Sequence, residues 1–80
     1  MTREDIILQL TPIAREVFSD SGLIIHEKLT VADVPNWTSL TFMMLLTEIE
    51  NHFNIKFKMM EILKMQDMQA IINTIQSHLI

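Results

Sequence analysis

Apolar residues recur at helical spacing in three segments of this chain, and this periodicity constrains the fold more than any other feature. The first stripe comprises Ile6, Leu10, Ile13 and Val17. The last stripe comprises Met68, Ile71, Ile72, Ile75 and Leu79. Segment 55–58 alternates like a strand, but an isolated strand cannot satisfy its backbone groups. The sequence therefore predicts an all-α protein.

The first helix is predicted to begin near Arg3 and to run to about Phe18. Thr2 and Asp5 are typical of a helix start, because an acidic residue in the first turn suits the positive end of the helix dipole. Pro12 lies inside this segment and lacks a backbone N–H. We therefore expect a kink at Pro12, or a helix that restarts there.

A long loop is predicted over residues 19–36, where helical periodicity fades and the Ser-Asp-Ser-Gly sequence at 19–22 indicates a turn. Residues 30–34 could form one helical turn before Pro35 ends it. The loop is too apolar for a disordered linker, so we expect some of its apolar side chains to pack on the bundle. These are Leu23, Ile24, Ile25, Leu29, Val31 and Val34.

The second helix has Thr38 as its predicted N-cap and runs to Phe53. Its core stripe comprises Phe42, Leu45, Leu46, Ile49 and Phe53. A second stripe at i, i+4 and i+8 comprises Leu40, Met44 and Glu48. The spacing leaves two interpretations of this second stripe: it covers loop residues, or it meets a partner.

The remaining helices are short. A third helix is predicted over 59–64 after the extended connector 55–58, and Asp67 is a good cap for the last helix. With no strand pair available, we expect a small antiparallel four-helix bundle that has a long first loop and a short third helix. Residues 1–80 form one predicted domain.

Composition excludes several functions. The net charge of −4 and only six Lys and Arg residues argue against nucleic-acid binding and favour basic protein partners. The absence of Cys excludes thiolate chemistry by the chain itself. No apolar run approaches the roughly 18 residues of a membrane span, and no secretory signal begins the chain, so we expect a cytoplasmic protein without membrane insertion.

No set of residues predicts catalysis. His26, His52 and His78 are too far apart in sequence to suggest a metal site, and we expect them at the surface. Glu48 and Glu50 are two residues apart on a helix and therefore point away from one another. The chain is not expected to be an enzyme.

Seven methionines invite a binding hypothesis, because thioethers adapt to varied apolar surfaces, although Met also fills irregular cores. Met43, Met60 and Met65 could shelter a flexible apolar chain between the second and third helices.

At the start of the second helix the chain resembles the acyl carrier protein family. In that family a serine of an Asp-Ser-Leu motif opens the second helix and is modified by a phosphopantetheinyl transferase. The matching string here is Trp37-Thr38-Ser39-Leu40-Thr41. The long preceding loop, the end of the second helix at Phe53 and the connector after it also match, so the resemblance covers nearly the whole chain.

The resemblance implies that Ser39 carries 4'-phosphopantetheine, making the chain a phosphoprotein that holds acyl intermediates as thioesters. Partner enzymes of fatty acid or polyketide biosynthesis would then load and process the cargo, meeting Leu40, Met44, Glu48 and Glu61 with basic patches. One departure is Thr38, which stands where the family usually has Asp. Thr keeps the N-cap role but loses the charge, so slower or more selective modification is expected.

Two other hypotheses about the function stay open. An aminoacyl or peptidyl carrier shares the fold and the arm and differs in cargo, whereas a carrier-like interaction module would use the same helix with no arm. Because the chain begins with Met1 and shows no flanking linker, we expect a free-standing carrier. We also expect a monomer.

Overall fold

The computed structural model describes residues 1–79 and is all-helical over that range. It has four α-helices, α1 (Arg3–Val17), α2 (Ser39–Phe53), α3 (Met59–Lys64) and α4 (Met68–His78). One 3-10 turn, Val31–Asp33, lies in the loop between α1 and α2. The predicted fold class is confirmed, including the long first loop and the short third helix. None of the described helices is long and apolar enough to cross a membrane.

Helix α1 begins as predicted but is not interrupted. Thr2 Oγ1 accepts a hydrogen bond from the backbone N–H of Asp5 at 3.1 Å, and the Asp5 carboxylate accepts from the N–H of Thr2. The helix continues through Pro12, so the predicted restart there is wrong, and the alternative of a kink stays a prediction. Leu10 and Ala14 are both buried, and these contacts on either side of the exposed proline ring keep the two halves in one helix.

The long loop is anchored by four of its apolar residues. Leu23, Ile25, Leu29 and Val34 are buried, whereas Ile24 and Val31 are exposed, so the expected packing is confirmed for part of the set. The predicted helical turn over residues 30–34 is also present.

Side chains at both ends of the loop hold its backbone. Arg15 Nε donates to the carbonyl of Leu23 at 2.8 Å, and Asn36 Nδ2 donates to the carbonyl of Phe18 at 2.7 Å. The loop therefore follows the surface of the bundle at fixed points.

The core forms where the apolar stripes of α1, α2 and α4 meet, with α1 packed against both of the others. Its fully buried helical residues are Ile6, Leu10, Ala14, Leu45, Ile49, Met68, Ile71, Ile72 and Ile75. Phe42 and Leu79, which were predicted in the core stripes, are only partly buried at its edge. At the surface Arg3 joins α1 to α4 and the loop by donating to Asn73 Oδ1 at 2.6 Å, to Gln76 Oε1 at 2.9 Å and to Glu27.

The connector after α2 is extended and makes no strand, as expected. Asn54 ends α2 in the left-handed conformation with φ 57°, which Asn tolerates better than most residues. The carboxylate of Glu50 then accepts a hydrogen bond from the backbone N–H of Phe57 at 2.8 Å. Glu50 is thus a structural residue that fixes the path of the chain into α3.

We predict opposite stability effects at two adjacent isoleucines of the loop. Ile25 is 6% exposed and Ile24 is 70% exposed, so Ile25→Ala leaves a cavity and Ile24→Ala does not. Ile25→Ala should lower the free energy of unfolding by about 2 to 5 kcal/mol. Ile24→Ala should change it by less than about 0.5 kcal/mol. Urea unfolding of both variants measures the difference, and equal effects would contradict the anchoring of the loop.

Candidate functional site

Ser39 is the first helical residue of α2 and is exposed to solvent. The residue before it, Thr38, is the N-cap, as predicted: its Oγ1 accepts a hydrogen bond from the backbone N–H of Thr41 at 3.2 Å. Thr41 Oγ1 in turn accepts from the N–H of Thr38 at 2.8 Å and donates to the carbonyl of Asn36 at 2.6 Å. This reciprocal pair of threonines fixes the helix start.

The first turn of α2 retains capacity to bind an anion. Within residues 1–79 the backbone N–H groups of Ser39 and Leu40 have no hydrogen-bond partner. No acidic residue lies in this turn, and Thr38 adds no charge. Unpaired N–H groups at the positive end of a helix dipole favour a phosphate, so a phosphodiester on Ser39 would be stabilised here.

An aromatic stack fixes the position of this helix start. Trp37 is 8% exposed and lies between Phe18 and Phe42, with ring centroid distances of 5.4 Å and 6.4 Å. Because Trp37 is anchored in the core two residues before Ser39, the serine is held at the surface.

A cavity of about 410 Å³ opens beside Ser39 between the loop, α2 and the α3–α4 connection. Its lining includes Trp37, Phe42 and Met65. Three methionines were expected to shelter a flexible apolar chain together. Met65 lines this cavity, whereas Met43 lies in a different groove and Met60 is exposed on α3. The structure therefore does not bring the three together.

The second stripe of α2 is exposed, as its position beside the core stripe indicates. Leu40, Met44 and Glu48 line a groove of about 520 Å³ between α1 and α2. They face α1 across this groove, whose lining includes no residue of the long loop. The α1 side of the groove includes Ile13 and Glu16, which the sequence analysis did not assign to a site. The sequence does contain an indication of this surface, because Ile13 and Val17 are one turn apart at the edge of the apolar stripe of α1.

Glu61 is engaged within the protein. Its carboxylate accepts hydrogen bonds from the backbone N–H of Lys58 at 2.7 Å and from His78 Nε2 at 2.9 Å and 3.0 Å. The hydrogen bond from Lys58, followed by that from His78, lowers the pKa of Glu61 below its ordinary value. Glu61 does not line the groove that holds the rest of the predicted docking set.

The three histidines have separate environments. His26 and His52 are exposed, and His52 Nε2 lies 2.8 Å from Gln9 Oε1. His78 is half-buried against Glu61 and forms a T-shaped contact with the Phe57 ring, so its predicted exposure is only partial. Over the described part of the chain no three His, Cys, Asp or Glu side chains are placed to hold a metal ion.

Of the comparisons with known proteins, the one with solved structures found a match. No protein-family model matches the chain, and no curated protein matches it. A solution NMR structure of a holo acyl carrier protein from Geobacter metallireducens matches with 30% sequence identity and a TM-score of 0.85. The match covers 91% of this chain and 84% of that one. Similarity of this extent shows that the chain has the fold of an acyl carrier protein.

The engaged Glu61 predicts a specific dependence of stability on acid pH. Because the folded-state pKa of Glu61 is lowered from about 4.5, its contribution to stability is present above that pH and is lost as the pH falls through the folded-state value. The urea midpoint of the wild-type chain should therefore fall more steeply below about pH 4.5 than that of Glu61→Gln.

Glu16→Gln is the control for this measurement, since the carboxylate of Glu16 has no hydrogen bond within the described residues. It should retain the wild-type slope. If Glu61→Gln and wild type lose stability in parallel between pH 5 and pH 3, the contact with Lys58 and His78 does not stabilise the fold.

Proposed function

The chain belongs to the acyl carrier protein family, and from that membership we propose that it holds acyl intermediates as thioesters on a 4'-phosphopantetheine arm attached to Ser39. The observation that carries the proposal is the position of Ser39. It is an exposed hydroxyl at the first residue of α2, beside two unpaired backbone N–H groups, in a fold that matches a holo acyl carrier protein.

The chain supplies the attachment point and leaves catalysis to its partners. Members of the family are non-catalytic carriers, and this chain is not an enzyme. The arm, when bound, supplies the thiol that a chain without Cys lacks. Ser39 would form the phosphodiester through its Oγ, Thr38 would keep the helix start in place, and the N–H groups of Ser39 and Leu40 would stabilise the phosphate charge.

The proposed partners are a phosphopantetheinyl transferase and acyl-loading and acyl-processing enzymes of fatty acid, polyketide or related biosynthesis. Their docking surfaces would be basic, because the chain has a net charge of −4. Such contacts would combine a small apolar centre with charges that speed encounter, and Leu40, Met44 and Glu48 offer both. We propose a monomer in solution. An aminoacyl or peptidyl carrier would use the same site with a different cargo.

A second candidate function is a carrier-like interaction module that has no arm. One observation favours it: the first turn of α2 has no acidic residue, so a transferase that reads negative charge before the serine finds none at Thr38. The two candidates differ only in whether Ser39 is modified.

Incubation with coenzyme A and a broad-specificity phosphopantetheinyl transferase separates these candidates. Intact mass spectrometry should show the gain of one phosphopantetheine on the wild-type chain. Ser39→Ala should abolish the gain, and the loop variant Ser21→Ala should keep it. No gain on wild type would favour the interaction module, and a gain that persists in Ser39→Ala would place the arm on another residue.

Restoring the missing charge should speed modification. Thr38→Asp keeps a capping oxygen and adds a carboxylate, whereas Thr38→Asn keeps the cap without charge. We expect kcat/KM of the transferase to rise about threefold to tenfold for Thr38→Asp at low salt, with a smaller rise at physiological salt. Thr38→Asn should stay close to wild type. Equal gains in both variants would assign the effect to capping.

A further inference from the structure

The groove between α1 and α2 is the larger of the two cavities at the surface described above, at about 520 Å³. Ile13 and Val17 form its α1 side, and Met43 and Met44 form its α2 side. The end of the groove next to Ser39 is formed by Leu40, which is 71% exposed. Contiguous apolar surface of this kind on a small protein marks an interaction site.

Two carboxylates lie along this apolar groove. Glu16 of α1 and Glu48 of α2 both line it, and neither forms a salt bridge within residues 1–79. Arg15, the neighbouring cation on α1, donates its Nε to the carbonyl of Leu23 in the loop. The groove therefore combines an apolar floor with negative charge from both helices.

The surface of α3 has the opposite electrostatic character. Met59, Met60 and Leu63 are exposed there, but Lys58 and Lys64 flank them. The acidic residue of α3, Glu61, is already hydrogen-bonded to His78. A basic partner is repelled by these lysines and attracted by the carboxylates of the α1–α2 groove.

We propose that the α1–α2 groove docks an amphipathic helix of a partner protein, one whose apolar face is flanked by Lys or Arg. The recognition surface is thereby extended from α2 onto α1, with Glu16 as a binding residue. The identification of that partner as an enzyme acting on the carrier rests on the proposed function, whereas docking of the helix does not need the arm.

The dimensions of the groove fit this occupant. Its α2 side runs from Leu40 to Glu48, which at 1.5 Å per residue is about 12 Å, or two helical turns. Two turns of a partner helix present three or four apolar anchors at i, i+3, i+4 and i+7. Met43 and Met44 are unbranched and flexible, so they can adjust to differing anchors. The Leu40 end of the groove adjoins Ser39, so a helix docked here would lie close to the serine.

The test uses a synthetic helical peptide of about 14 residues that has leucines on one face and lysines on both sides of them. It is titrated into the unmodified chain of residues 1–80, and amide chemical shifts are followed at low and at physiological salt. Shifts should map to residues 13–17 and 40–48. Glu16→Lys should weaken binding about tenfold at low salt and less at physiological salt.

Glu4→Lys is the matched control, because it makes the same charge change at the exposed far end of α1. It should change the affinity less than twofold. Circular dichroism and the urea midpoint verify that both variants are folded. A peptide in which the lysines are replaced by glutamates should not bind.

Several outcomes would overturn the proposal. Shifts that map to Met59–Lys64, an unchanged affinity in Glu16→Lys or an equal loss in Glu4→Lys would exclude specific docking in the groove. Groove shifts that depend on protein concentration without peptide would assign the groove to a second copy. Groove shifts on loading an octanoyl group onto the arm would assign it to cargo. Because the titration uses the unmodified chain, failure of Ser39 modification leaves its result unaffected.

Discussion

The stack of Phe18, Trp37 and Phe42 is the contact on which the rest of the structure depends. Phe18 follows the end of α1 and Trp37 precedes α2, so their contact at 5.4 Å closes the long loop between the two helices. Closing a loop of this length costs conformational entropy, which the buried aromatic surface and the anchors Ile25 and Leu29 offset. The stack also determines where α2 can begin. Without the stack, the start of α2 and the exposed Ser39 would have no fixed position on the bundle.

Features that depend on local sequence were predictable. The bounds of α1 and α4 follow from caps and apolar spacing, and Thr38 is recognisable as an N-cap because its hydroxyl acts on a backbone group three residues away. Pro12 shows the limit of this reasoning. The cost of the lost hydrogen bond is local, but the contacts of Leu10 and Ala14 that outweigh it come from packing against other helices.

Features that depend on contacts distant in sequence were not predictable. Ile24 and Ile25 are chemically identical neighbours, and only the path of the loop across the bundle decides which one is buried. The family resemblance places Glu61 in the predicted docking set, but the sequence does not show that its carboxylate is hydrogen-bonded to His78. The contact with His78 spans 17 residues and requires the connector to turn at the hydrogen bond between Glu50 and Phe57. Sequence spacing alone does not indicate such a pair.

The distribution of charge connects the fold to recognition. A net charge of −4 indicates the sign of the partner but not where it binds, because the total is the same whichever helix displays it. In the folded chain Glu61 of α3 is hydrogen-bonded to His78, and Lys64 of the same helix is exposed. Glu16 and Glu48 lie along the groove beside Leu40. The face of α2 toward α1 therefore attracts a cation more strongly than the surface of α3. Since this groove begins one residue from Ser39, the same packing that positions the serine also positions the charges that would bring a partner to it.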